Sequence, residues 1–495
     1  MNRIRSKKQS GFSSLEILLA LTLLVLTMTA VISVIFGNQS VAADSQTNAE
    51  ALHKAREILE NAMETSRNSF DSVVTAAGTY TNGITYNTLL DIPLGTKCFK
   101  YATSTVTWTG DHNRPQKVIL KTQLTNVPEM LASGGNCDTS PPSGGWNPPA
   151  TWASSNFNPG KPTGKPTGMD VLNKLVYMTG DNAPFLFIAD TNGAAFGQSS
   201  GLFVNFANGF SDGAQLNDIK VTRASNGKVY AYVARNTSSN QFEVIDVNDI
   251  RNPNSIIKLS LTGVSGANPQ GWRVYYYDGK AYVVARFTAG PELHVFDVST
   301  SWDAASIREI GSGTELGLTV EDFVVTKQTI SGSPHYIAYM ATDDISHELL
   351  VMDVTMLTAT AIPTPAGDLP GAQNGASVYL MNNFLYFGRD STPGGSDLYI
   401  FKVQDPQNIT IKNQQDINTG VIGIAVSGQF AFLGTPKASK EFQVWTSDPN
   451  SALNLISPFK FPNVISSHSL RYESNWTYVA GSGSGNDALR IFYSP

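Results

Sequence analysis

YVARNTSSNQFEVIDV, residues 232–247, holds two strand-like runs joined by a polar loop. The first run ends aromatic–apolar–small, as Tyr232-Val-Ala234. The second, FEVIDV (242–247), alternates in strand fashion and closes on Asp246, twelve residues beyond Ala234. The same step of twelve separates Ala285 from Asp297 and Ala341 from Asp353. The first element recurs as Tyr177-Met-Thr-Gly180, Tyr282-Val-Val-Ala285, Tyr339-Met-Ala341, Tyr386-Phe-Gly388, Phe432-Leu-Gly434 and Tyr478-Val-Ala480. The second recurs as FLFIAD (185–190), LHVFDV (293–298), LLVMDV (349–354), LYIFKV (398–403), FQVWTS (442–447) and LRIFYS (489–494). Seven copies, roughly 43–56 residues apart and strand-patterned throughout, predict a seven-bladed β-propeller of four-stranded blades over 169–495.

Several copies carry a hydrophobic strand that ends in aspartate, followed by a proline turn, as in Asp246-Val-Asn-Asp-Ile-Arg-Asn-Pro253. Asp405-Pro406 and Asp448-Pro449 keep the turn, while Lys402, Thr446 and Tyr493 replace the strand-end acid in the last three copies. This pattern resembles LVIVD-type propeller repeats. The last copy finishes on its third strand, so closing the ring requires an outer strand from elsewhere, expected from Thr151 to Phe157.

Upstream, residues 138–168 are rich in proline, glycine and small polar residues and read as a linker. Residues 66–137 read as a small antiparallel β head. Its strands include Cys98–Trp108 and Lys117–Thr125, joined by a turn-prone Gly110–Pro115. Before it, Leu52, Ala55, Ile58, Leu59, Ala62 and Met63 recur at helical spacing, with polar residues on the other face. Ile17–Phe36 is a run of 20 residues without a charge, about 30 Å long as a helix and able to span a bilayer. Arg3, Arg5, Lys7 and Lys8 precede it, which predicts a cytoplasmic N-terminus and everything after Phe36 outside. One helix over 12–65, membranous and then amphipathic, is expected.

Gly11-Phe12-Ser13-Ser14-Leu15-Glu16 places a glycine, an aromatic and a lone acid at the membrane boundary, where a carboxylate is costly without a partner. These residues resemble the prepilin-type cleavage and methylation motif of type IV pilins and type II secretion pseudopilins. Ser13-Ser14-Leu15 stands where a more apolar triplet is common. The resemblance covers about residues 5–65 and implies cleavage by a prepilin peptidase after Gly11, so that 1–11 is a leader. It also implies N-methylation of Phe12 and pairing of Glu16 with the Phe12 amine of a neighbouring subunit. The expected partners are other pilin subunits, through the helix, and an inner-membrane assembly machinery. The expected location is the cytoplasmic membrane first, then a surface pilus or a periplasmic pseudopilus.

The two cysteines, Cys98 and Cys137, fit no metal-ligand spacing, and in an exported chain they predict one disulfide worth roughly 4 kcal/mol by loop entropy. By analogy with pilin heads it would fasten the tail of the β head. Charged residues are 15% and the formal net charge is −6, without a basic run beyond the N-terminus, so no nucleic-acid partner is expected. No nucleophile elbow, zinc signature, phosphate loop or dinucleotide fingerprint occurs, and neither a catalytic residue, a metal nor a cofactor is assigned. The densest ionisable cluster, Asp343-Asp344-Ile-Ser-His347-Glu348, reads as a solvated loop. The strand-end acids Asp246, Asp297 and Asp353 read as turn caps. Asp212-Gly213 and Asn217-Asp218 lack EF-hand spacing.

The leading expectation is a minor pilin-like subunit that displays a propeller for adhesion to, or recognition of, an unknown surface ligand. A globular domain of this size has a radius of gyration of about 20 Å, whereas packed helices lie about 8–10 Å apart, so a propeller on every subunit would crowd. The alternatives are a type II secretion pseudopilin contacting cargo and a tethered propeller enzyme acting on glycans.

Overall fold

The computed structural model describes residues 14–93, 95–110, 113–135, 137, 142–156, 166–181, 185–191, 203–205, 214–356, 359–364, 367–390, 395–437, 439–461, 465–483 and 487–494. The chain divides into two compact units. The first is Met1–Ile92 with Tyr101–Gln123; the second is Pro93–Lys100 with Leu124–Pro495.

In the first unit a single helix runs from Ser14 to Asn68. Its segment Ile17–Ile35 has a mean hydropathy of 2.6, and none of it is buried by the rest of the chain. Further along, Ala51, Ala55, Leu59 and Ala62 are buried at steps of four, four and three, the spacing of one helix face. Ala55, Leu59 and Ala62 belong to the expected stripe; at its start Leu52 is exposed and Ala51 is covered instead. Small alanines let the sheet approach closely, and Tyr86, Val106 and Trp108 pack on Ala51 and Ala55. The sheet comprises Ala76–Asn82, Ile84–Asp91, Phe99–Thr109 and Pro115–Thr125 in sequence order. Glu50 on the helix accepts hydrogen bonds from Asn82 and from the Tyr80 and Tyr86 hydroxyls at 3.1 and 3.2 Å. These bonds, the Asn82 bond foremost, hold its carboxyl below the ordinary range.

Among the described residues of the second unit, seven four-stranded sheets follow one another. Their first strands are Pro166–Leu172, Gln215–Arg223, Gln270–Tyr277, Val320–Ile330, Gly375–Met381, Gly423–Ser427 and Ile465–Glu473, which define the first to seventh sheets. First strands of successive sheets are neighbours, and that of the seventh lies beside that of the first, so the sheets form a closed, propeller-like ring. The middle of a second strand is covered on both faces by adjacent sheets, so successive residues there are apolar without a polar alternate. In Val229–Asn236, Ala231 and Val233 pack toward the first sheet while Tyr232 and Ala234 pack toward the third. Two-residue turns with positive φ at both positions close inner hairpins at Asn173-Lys174, Asp278-Gly279, Ser331-Gly332 and Ser474-Asn475, a twist that matches the strands.

The fourth strand of the seventh sheet is Ala150–Asn156, antiparallel to Asp487–Tyr493, with Ala150 opposite Tyr493 and Asn156 opposite Asp487. This places the closing strand where the sequence reading sought it, although Phe157 lies outside the described residues. It also corrects the reading of 138–168 as a linker. Trp146 is fully buried among Phe430, Phe432, Phe442 and Tyr472, with its ring centroid 4.7 Å from that of Phe432. Its backbone N–H donates to Ser494 Oγ at 3.1 Å, and the Ser143 N–H donates to Asn475 Oδ1 at 2.9 Å. The first sheet already begins at Pro166. Burial of one large aromatic outweighs the loop character of its neighbours.

Candidate functional site

The second unit takes in a short segment that precedes the ring in the sequence. Cys98 and Cys137 are disulfide-bonded with Cα atoms 6.1 Å apart, and between them lies the helix Val127–Ala132. Asn126 caps this helix through Oδ1, which accepts the Glu129 N–H at 3.3 Å. The Ala132 carbonyl accepts from the Asp278 N–H and the Gly134 carbonyl from the Arg223 N–H, each at 2.7 Å. The Tyr277 hydroxyl donates to Glu129 Oε2 at 2.7 Å. Gly134, at φ +64°, leaves no room for a Cβ, which would lie 2.4 Å from Thr222 Cβ. Residues 95–100 and 124–135, with Cys137, therefore cap the ring where the first strands of the second and third sheets end. The disulfide ties this cap, joining the residue before the strand Phe99–Thr109 to the segment that follows Pro115–Thr125, and both cysteines fall in the second unit.

Beneath the cap lies a cavity of about 140 Å³, bounded by Lys97 and Glu129 from the cap and by Asp170, Lys220, Tyr275, Asp322 and Arg471 from the ring. The channel acids share one job. Asp170 accepts the Val221 N–H at 2.8 Å, Asp218 the Val274 N–H at 3.1 Å and Asp322 the Val378 N–H at 3.0 Å. Each carboxylate thus fastens its own first strand to that of the next sheet. Arg471 Nε lies 3.2 Å and Lys220 Nζ 3.9 Å from Asp170 Oδ1, while Arg273 Nε donates to the Glu321 carbonyl at 2.6 Å. Burial pushes the Lys220 ammonium below its ordinary pKa, with Arg471 adding to the effect, and pushes the Asp322 carboxyl up. Such a network holds neighbouring sheets in register, since a charge displaced from it would be buried and unpaired.

The cluster at 343–348 does not converge. Asp344 accepts from the Ser346 N–H at 2.9 Å and lies 3.2 Å from His347 at the surface. Glu348, expected in water, is instead fully buried and lies 2.8 Å from Arg389 Nη2. Among the described residues no group of three or more His, Cys, Asp or Glu side chains is placed to hold a metal. The strand-end acids do cap turns. Asp246, Asp297 and Asp353 accept from the N–H two residues on, at 2.9, 3.1 and 3.0 Å. Asn217 and Asp218 bond inside the ring, to the Gly271 carbonyl at 2.6 Å and to the Val274 N–H respectively. Asp212 and Gly213 lie outside the described residues.

One repeated device escaped the sequence reading. The residue just before the third strand, Gln241, Glu292, Glu348, Asp397 or Glu441, reaches the loop that leads to the next sheet. Its side-chain oxygen accepts the N–H of Leu261, Leu316, Leu369, Ile417 or Phe461 at 2.6–3.1 Å. The signal was present as a polar residue immediately before FEVID, LHVFD, LLVMD, LYIFK and FQVWT. Burial pushes the Asp397 carboxyl up to about 6, from an ordinary 3.8. The folded chain therefore keeps a proton that the unfolded chain loses, and stability falls as pH rises from about 4 to 6, by about 3 kcal/mol at most. Asp397→Asn keeps an acceptor for the Ile417 N–H without the buried charge. Its melting temperature should exceed that of the parent at pH 7.5 and match it at pH 3.5; an equal gain at both values would contradict this account.

Of the assigned processing and assembly residues, Gly11 and Phe12 precede the described residues, and Glu16 falls near the start of the long helix. No protein-family model matches the chain, and no curated protein matches it. Among solved structures, the crystal structure of the N-terminal domain of Nup159 is similar at 11% identity and a TM-score of 0.39, covering 70% of this chain and 93% of that one.

Proposed function

We propose that the chain is a minor type IV pilin-like subunit whose long helix enters a filament and whose propeller-like unit serves as a recognition module at the cell surface. One observation carries the reading. The helix Ser14–Asn68 leaves Ile17–Ile35 uncovered by its own chain and then buries a stripe of small residues under a four-stranded sheet. An uncovered apolar segment of that length requires either a bilayer or other helices of the same kind, and a filament subunit meets first the one and then the other. The Gly11-Phe12 and Glu16 pattern supports a prepilin peptidase and neighbouring subunits as partners, with a single-pass precursor oriented by its basic leader. The channel acids and the acids before the third strands support a rigid scaffold, which suits a unit that presents surface loops.

The test is mass spectrometry of the N-terminus in sheared surface filaments, comparing the parent with Gly11→Ala. The expected result is a mature chain that begins at methylated Phe12 in filaments, and complete loss of cleavage and of filament-borne protein in the variant. An uncut chain that starts at Met1 and stays in the membrane would overturn the proposal.

A further inference from the structure

We infer that the end of the ring opposite the cap carries a binding site for a carboxylate-bearing sugar, with Phe287 as its stacking platform and Arg286, held against the Trp272 ring, as its cationic donor. The inference deepens the recognition-module reading, and rests on it, by naming a site and a ligand class.

Arg286 pairs with Gln270 at the start of the third sheet's first strand, whereas the cap engages Tyr277 and Asp278 at the other end of that strand. Beyond Arg286 the loop is braced against residues 263–266. The Ala289 N–H donates to the Ser265 carbonyl at 2.8 Å, and the Thr288 hydroxyl accepts from the Ser265 and Gly290 N–H groups at 3.2 and 3.0 Å. The two loops touch so closely that a Cβ on Gly290 would lie 2.2 Å from the Gly263 carbonyl oxygen. On this braced loop Phe287 has φ +57° and is 59% exposed. A bulky side chain rarely adopts that conformation, and an exposed ring recovers little of its cost by packing. Glycine would serve the backbone better, so the ring itself needs a reason.

Its surroundings supply one. The Arg286 guanidinium lies 4.6 Å from the Phe287 ring centroid and 4.2 Å from that of Trp272, and the Arg273 guanidinium lies 4.5 Å from that of Trp272. Two donors here, Trp272 Nε1 and Arg286 Nε, are shielded from solvent and meet no acceptor. The nearest acid, Glu321, stands 4.0 Å from Arg286 Nη2. The Arg286 side chain stays 27% exposed beside the ring, and with Arg273 next to it the accessible guanidinium favours acceptor atoms that carry negative charge. A rigid exposed ring next to that guanidinium suits the apolar face of a pyranose. A uronate or sialate unit supplies both. No other large apolar side chain on 286–291 or 262–266 is exposed, whereas a protein partner needs a patch of roughly 800 Å².

The test is calorimetric titration of the full chain in detergent with trigalacturonate, a hyaluronan hexasaccharide and sialyllactose. Neutral maltohexaose and hexaglutamate serve as comparators. At least one acidic sugar should bind at least tenfold more tightly than maltohexaose. Phe287→Gly should weaken that binding at least tenfold while raising the melting temperature, a pairing that a merely structural ring would not produce. Arg286→Gln should weaken it as well, with the fold intact. Absence of acidic-sugar binding, binding unchanged in Phe287→Gly, or tighter binding of hexaglutamate would each overturn the inference. Because the titration needs neither cleavage nor filaments, its failure leaves the N-terminal processing result untouched, and the reverse holds.

Discussion

Arg389→Ala is expected to destabilise the ring by about 3–5 kcal/mol, read as a lower urea midpoint and melting temperature of the full chain in detergent. Arg389 ends the second strand of the fifth sheet and Glu348 precedes the third strand of the fourth, so the pair joins neighbouring sheets. Both side chains are fully buried, 2.8 Å apart. Arg389 also donates to the Pro370 carbonyl at 2.9 Å, and Glu348 accepts the Leu369 N–H at 2.9 Å. Burial already pushes the Glu348 carboxyl up. Without the guanidinium, a carboxylate remains in the interior with one backbone donor, and its alternative is to take up a proton. The deficit should therefore shrink as pH is lowered from 8 toward 5. Adding Glu348→Gln should restore more than half of the loss, because an amide leaves no buried charge. A loss below about 1 kcal/mol in the single variant would mean that water reaches the pair.

Trp146→Ala should cost about 3–5 kcal/mol, the range for removing a buried aromatic, and should loosen the ring at its junction. Trp146 packs in one cluster with Phe432, Tyr472 and Phe492, residues of the sixth and seventh sheets, immediately before the strand that completes the seventh sheet. Emptying that site removes the anchor of Ala150–Asn156. Hydrogen exchange should then rise first in 142–156 and 487–494, with little change in the second to fourth sheets. Trp146→Phe keeps most of the apolar volume and should cost clearly less. A Trp146→Ala protein with the parent's melting temperature and exchange pattern would show that the closing strand holds by its ladder hydrogen bonds alone.

Much of the architecture was legible in the residues because it depends on local pattern. Ile17–Ile35 declares itself by composition, and the strand pairs by a repeated step from a small residue to an aspartate. The turn-capping role of Asp246, Asp297 and Asp353 follows from bonds that reach only two residues. The same local logic misled where burial overrode composition. Proline and glycine around Trp146 read as a linker, yet one indole surrounded by aromatic rings placed that segment in the core. At 343–348 nearness in sequence suggested a shared, solvated loop, while the strand start turned Glu348 inward to a partner 41 residues away.

The apolar helix, the strand repeats and the turns are local features, each specified by residues within one helical turn or one hairpin of each other. Packing around the ring is what makes the disulfide-linked segment a cap, sets Asp170, Asp218 and Asp322 to fasten neighbouring first strands, and puts Arg286 against both Trp272 and Phe287. Those contacts join residues far apart in the chain, and such partners are selected by how the sheets pack around the ring rather than by any periodicity along it.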